Sequence, residues 1–220
     1  MIRKFRHWFA PALVALVSGM AAETTAATIL VDTLDGYLTG SSLNVGDLSG
    51  QSFQTTSTDY IVDSVSLEIY RDANQLGGSF DVFLYSAKGN NEPDSQVAVI
   101  AQNQSIDALP DGDGVQVAPT VYGGLNLALS TSSTYYVIVE VTSTGSGSQF
   151  FWRYWNTTTP NIPYTTYNAT SGDNGSSWTT PNLGYPYMIK VTAVPEPSSI
   201  ALGLVACAGL AVAQRRRKQA

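Results

Sequence analysis

Residues 150 to 187 hold ten aromatics, among them Phe150, Phe151, Trp152, Tyr154, Trp155 and Trp178. Asn and Thr are abundant between them, so the segment has the residue types of a stacking platform for sugar rings. Trp152, Trp155 and Trp178 are the candidate carbohydrate-binding residues. Alternation along a strand would put Phe150, Trp152 and Tyr154 on one face and Phe151, Arg153 and Trp155 on the other. One of the two sets is expected in the core. The other is either a contact surface or rim packing, since an exposed aromatic patch marks an interaction site.

Carboxylates are the other candidates. Asp107, Asp111 and Asp113 cluster with Gly112 and Gly114, and Asp oxygens in such a loop can hold Ca²⁺. The distal Glu of a calcium loop is missing, and Asp-Gly pairs are frequent turn formers. Asp111 and Asp113 therefore stay a weak Ca²⁺ candidate and no metal or other cofactor is expected. Glycoside hydrolysis needs only two suitably spaced carboxylates. Of the Glu residues between 28 and 193, Glu68 and Glu140 read as solvent-facing strand positions, and Glu92 falls in a loop.

Much other chemistry is excluded. The only histidine is His7 and the only cysteine is Cys207, both outside residues 28–193. That stretch has no Ser-His-Asp or Cys-His nucleophilic site, no His general base, no His-ligated zinc and no disulfide. It keeps four cations, Arg71, Lys88, Arg153 and Lys190, against 15 carboxylates, a formal charge of −11. Such a surface repels nucleic acid and anionic lipid.

Strands must position these groups, because no window shows helical periodicity. Val65, Leu67 and Ile69 alternate with Ser64, Ser66, Glu68 and Tyr70, Ser79 to Ser86 alternates with Phe80, Val82 and Leu84 on one face, and Tyr135 to Val141 is a further strand. Val137 and Val139 join the same expected core. Residues 33 to 48 read as loop, Lys88 to Asp94 as loop, and Val97 to Ala101 as a short strand. Leu125, Leu127 and Leu129 alternate, Gln149 to Trp155 forms an aromatic strand, Ser177 to Thr179 is a further short strand, and Tyr187 to Thr192 closes the domain. Eight to ten short strands separated by turn residues predict an all-β, antiparallel β-sandwich of jelly-roll type over residues 28–193.

Both ends carry address labels. Arg3, Lys4 and Arg6 precede an apolar stretch from Trp8 to Val17, then small residues, so residues 1–27 read as a secretory signal peptide. At the other end stand Val194, Pro195, Glu196, Pro197 and Ser198, followed by a charge-free run from Ile200 to Ala213 and then Arg215, Arg216, Arg217 and Lys218. The two prolines hold the tripeptide extended. Fourteen helical residues span about 21 Å, short of a ~30 Å hydrocarbon core. The basic cluster favours a cytoplasmic C-terminus. A plain membrane anchor would have the same ingredients.

Residues 194–220, with the tripeptide, the short small-residue helix and the Arg cluster in that order, resemble the PEP-CTERM sorting signal of Gram-negative, exopolysaccharide-producing bacteria. That resemblance implies a processing partner, an exosortase, which is a membrane cysteine protease cutting near the tripeptide. It implies export through the inner membrane, transient anchoring there by the C-terminal helix, and delivery to the envelope, outer surface or extracellular matrix. Residues 28–193 are similar to choice-of-anchor domains, most of all the R type. The similarity is carried by Gln51-Ser52-Phe53, Val62 to Leu67, Val82 to Ser86, Tyr135 to Val139, Trp178 and Pro186 to Val191. It implies a surface sandwich without catalysis. The expected function is a non-enzymatic surface or matrix protein associated with exopolysaccharide or biofilm. A carbohydrate-binding module is the first alternative and a glycan-active enzyme the second.

Overall fold

Val65, Leu67, Ile69, Phe80, Val82, Leu84, Val137 and Val139 all lie in one buried cluster, where period-2 alternation puts them. The computed structural model describes residues 26–34, 38–72, 77–112, 117–145, 150–155, 167–179 and 185–196. The N-terminal segment up to residue 25 and everything from residue 197 onward lie outside the described residues. The chain is all-β, with twelve strands and one 3-10 turn, Ile106–Ala108, among the described residues.

Three antiparallel sheets form. The first has the order β1 (Thr28–Asp32), β12 (Ile189–Pro195), β4 (Tyr60–Leu67), β8 (Thr120–Leu129). The second has the order β11 (Asn168–Ser171), β3 (Leu48–Gln54), β9 (Thr134–Thr144), β6 (Gly78–Ala87), β7 (Pro93–Ser105). The third is short: β2 (Leu38–Leu43), β10 (Phe150–Trp155), β5 (Ile69–Arg71). One core joins all three in a sandwich-like arrangement, with Val191 from the first sheet, Val82 from the second and Phe150 from the third. Leu84→Ala is expected to cost about 2–4 kcal/mol in denaturant unfolding, because the side chain is fully enclosed and the site cannot collapse freely.

Five expectations needed correction. Residues 33 to 48 are not all loop: β2 reads Leu-Thr-Gly-Ser-Ser-Leu, with no apolar alternation, yet pairs along the whole of β10, from Phe150↔Leu43 to Trp155↔Leu38. Gly40 sits in that strand because a Cβ there would collide with the Tyr70 hydroxyl. β7 is 13 residues long rather than a short Val97 to Ala101 strand. Its polar ends are held by backbone pairing with β6, which carries several bulges. Ser177 to Thr179 is not a strand, and the short strand of that region is β11. The closing strand begins two residues later than expected and runs to Pro195.

Glu68 is the fifth. It breaks the path between β4 and β5, where the chain leaves the first sheet for the third. Its N–H donates to the Met188 carbonyl at 3.1 Å and its carbonyl accepts from the Arg153 N–H at 3.0 Å. Rather than facing solvent, its side chain is only 1% exposed and pairs with Arg153.

Candidate functional site

The residues expected to form a sorting motif begin inside the sandwich. Val194 pairs with Ile61 and Pro195 with Tyr60, continuing the ladder between β12 and β4. The Glu196 N–H then donates to the Asp59 carbonyl at 3.0 Å. Pro195 brings no N–H to the ladder, and its rung with Tyr60 is the last one. Val194 and Pro195 are half-buried and Glu196 is exposed. Pro197, Ser198, the apolar run and the basic cluster 215–218 lie outside the described residues. Among those described, no helix is long and apolar enough to cross a membrane.

The tryptophans separate by burial. Trp152 is completely enclosed. Its ring stacks on Tyr187 at 4.5 Å between centroids and 19° between planes. Its Nε1–H donates to the Met188 carbonyl at 3.1 Å. It is a core residue and offers no ring face to a sugar, which corrects its place among the binding candidates. Tyr187 is locked beside it by its own N–H, which donates to Gln51 Oε1 at 2.7 Å. Trp155 ends β10 opposite Leu38, and its side chain lies outside the described residues. Trp178 is half-buried, meeting Tyr85 edge-on at 6.5 Å. Tyr85 in turn meets Phe83 edge-on. These three lie on the outer face of the second sheet, over a satellite cluster built on Tyr136 and Ile138.

The opposite face of β10 is covered as well. Phe151 stacks on Tyr70 at 5.0 Å, and the Arg153 guanidinium lies 4.6 Å from the centre of the same Tyr70 ring. Arg153 Nε is 3.5 Å from Glu68 Oε1, with both side chains 2% exposed or less. A carboxylate and a guanidinium so enclosed cannot meet a substrate, so this pair belongs to the architecture. Gly112 completes the enclosure, since any Cβ there would run into the Tyr70 ring.

Asp111 is paired with Arg71 through the backbone, the Arg71 N–H donating to the Pro110 carbonyl at 3.1 Å and the Gly112 N–H to the Arg71 carbonyl at 3.2 Å, and Asp113 lies outside the described residues. No group of three or more metal-ligating side chains gathers among the described residues. One carboxylate pair stands on an accessible face. Asp81 of β6 and Glu140 of β9 are register partners, and directly opposed side chains have Cβ atoms about 4.5–5.5 Å apart. Both are half-buried. Burial, and then the Asp81 charge, raise the Glu140 pKa above its usual 4.5. Burial and Glu140 together raise that of Tyr85. Alternation already put Asp81, Phe83 and Tyr85 on one face of β6. What the sequence alone did not specify was the register that sets Glu140 against them.

The sign for stability follows from linkage. A carboxyl whose folded pKa is raised weakens the fold above that pKa and has no effect below its unfolded value. Glu140→Gln is therefore expected to raise the urea midpoint at pH 7. The gain should shrink to nothing as pH falls below the ordinary glutamate range. A gain that persists at low pH would show that neither the burial of the charged carboxylate nor its repulsion by Asp81 is the cause.

No protein-family model matches this chain, and no curated protein matches it. Among solved structures, it is similar to the cysteine protease and lectin-like domains of Cwp84, a surface layer associated protein of Clostridium difficile. The identity is 12% and the TM-score 0.41, over 69% of this chain and 33% of that one. It is also similar to the VP2 protein of infectious bursal disease virus, at 12% identity and a TM-score of 0.33, over 87% of this chain and 47% of that one. The chain thus spans a third to a half of the length of these proteins.

Proposed function

We propose that this chain is a non-enzymatic, exported surface or extracellular-matrix protein with a jelly-roll-like domain, released from a transient C-terminal membrane helix by an exosortase-type protease. One observation carries the reading. The last ladder of the sandwich ends within Pro195-Glu196, where the sorting tripeptide begins. A cut on the C-terminal side of the tripeptide would remove the tail and leave every described strand in place. β1 likewise starts at Thr28, directly after the small residues that end the signal peptide. The two processing regions bracket the fold.

The test is the intact mass of the protein recovered from the envelope of its own host. The expected mass lacks residues 200–220. Replacing Pro195-Glu196-Pro197 by three alanines is expected to block that loss and leave the full tail attached. A wild-type mass that retains the tail would mean a permanent anchor instead.

A second reading, carbohydrate binding, rests on the half-buried Trp178 and Tyr85 beside Asp81 and Glu140. Aromatic rings next to hydrogen-bond acceptors are what a sugar needs. On a glycan array, a Trp178→Ala variant would then lose signal that the parent protein gives.

A further inference from the structure

We infer that this protein pairs with a second copy of itself through the edge of β8, which has no strand partner on its outer side among the described residues. β8 is the last strand of the first sheet and β7 the last of the second, and the two lie side by side. They close that flank of the sandwich incompletely. Ala98 and Ile100 from β7, and Tyr122, Leu125 and Leu127 from β8, pack against the core but are only partly buried. Val121, Val97 and Val99 stand further out, at 62%, 48% and 41% exposure. The Tyr122 hydroxyl is enclosed with no hydrogen-bond partner among the described residues.

The geometry specifies the kind of occupant. An edge strand presents a row of unpaired N–H and C=O groups, whose complement is another strand. The charge pattern specifies which one. Residues 28–193 carry a formal −11, yet Thr120–Leu129 holds no ionisable side chain except Tyr122, and residues 96–105 hold none. Two copies repel each other wherever carboxylates face carboxylates. On this flank they do not. A strand pairs antiparallel with its own copy about a two-fold axis, so a single surface supplies both halves of the contact. β8 against β8 of the other copy would extend the first sheet, and the two β7 strands would come alongside in the other layer.

The ladder between copies is short. Gly124 and Asn126 have φ of 69° and 53°, and the β4–β8 register shifts there. That bulge divides β8 into two runs and shortens the continuous ladder, and the two-fold contact closes the assembly at two copies.

Cross-linking the full-length protein tests this. In a Cys207→Ser background, Gly123→Cys puts a thiol in the middle of β8, where an added side chain meets nothing within 4 Å. Val45→Cys is the control, since Val45 is 53% exposed on a turn away from this flank. A flexible bismaleimide is expected to join the Gly123→Cys protein into a dimer and leave the Val45→Cys protein monomeric. Adding Val121→Lys and Ala128→Lys, both at exposed positions, should abolish the cross-link by setting cations against each other across the axis. Raising salt to ~1 M, where the Debye length is ~3 Å, should increase dimer in the parent. Equal cross-linking of the two cysteine variants, or a dimer untouched by the two lysines, would overturn the inference.

Discussion

Glu68→Ala is expected to destabilise the protein by about 3–5 kcal/mol, because it strands the Arg153 guanidinium without its carboxylate in a space closed to water. Arg153 is held on every side: by Glu68 at 3.5 Å, by the Tyr70 ring face, and by the Gly112 carbonyl, which accepts from Nη2 at 3.5 Å. None of these contacts can be exchanged for water once the carboxylate is gone. Arg153→Ala should cost a similar amount by the reverse argument. The double variant Glu68→Leu with Arg153→Met separates the causes. Apolar residues of similar volume replace such pairs at little cost, so the double is expected to recover most of the loss of either single. Urea unfolding of the three variants measures this. A single-variant cost below about 1 kcal/mol, the range of solvated surface pairs, would mean that water reaches the pair.

Trp152→Ala is expected to cost about 3–5 kcal/mol, as large aromatic-to-alanine truncations in cores do. The loss has three sources: the buried ring area, the stack on Tyr187, and a Met188 carbonyl left without the indole N–H. Trp152→Phe keeps most of the area and loses the hydrogen bond, so it should fall between the parent and alanine. Trp178→Ala, at a half-buried position on the outer face, should cost much less. If Trp152→Ala left the urea midpoint unchanged while Trp178→Ala unfolded the protein, the assignment of core and rim would be inverted.

How far the fold was legible depends on what each residue alternates with. Val65, Leu67 and Ile69 and, on β6, Phe80, Val82 and Leu84 recur at every second position towards the main core, so the pattern is visible in the chain itself, although Phe83 between them is buried in the satellite cluster on the other face. β2 has no such pattern, because its place is set by the aromatic strand it pairs with and by the glycine that admits Tyr70. Glu68 shows the limit from another direction. Alternation correctly separates it from Leu67 and Ile69, but cannot reveal that Arg153, 85 positions away, covers that side. The aromatic segment was legible as a place where something is concentrated. Which of its rings are enclosed depends on sheet order, and sheet order has no local signature. The same is true of Asp81 and Glu140, whose pairing is a matter of register. The tail differs because its expected meaning rests on the order of local elements, Pro-Glu-Pro, apolar run and cations, and on no tertiary contact.

β12 lies between β1 and β4, with Thr28 directly across from Ala193. This arrangement gives the domain two different mechanical responses. A pull that separates residue 26 from residue 196 loads the β1–β12 ladder from its end, so its bonds break one at a time, as in a zipper. A pull on residue 196 against a load borne elsewhere on the body runs along β12. It then strains the bonds to both neighbours together, in shear. The protein should therefore yield at low force when stretched between its two ends, and hold at high force when gripped by its surface and tugged by its tail.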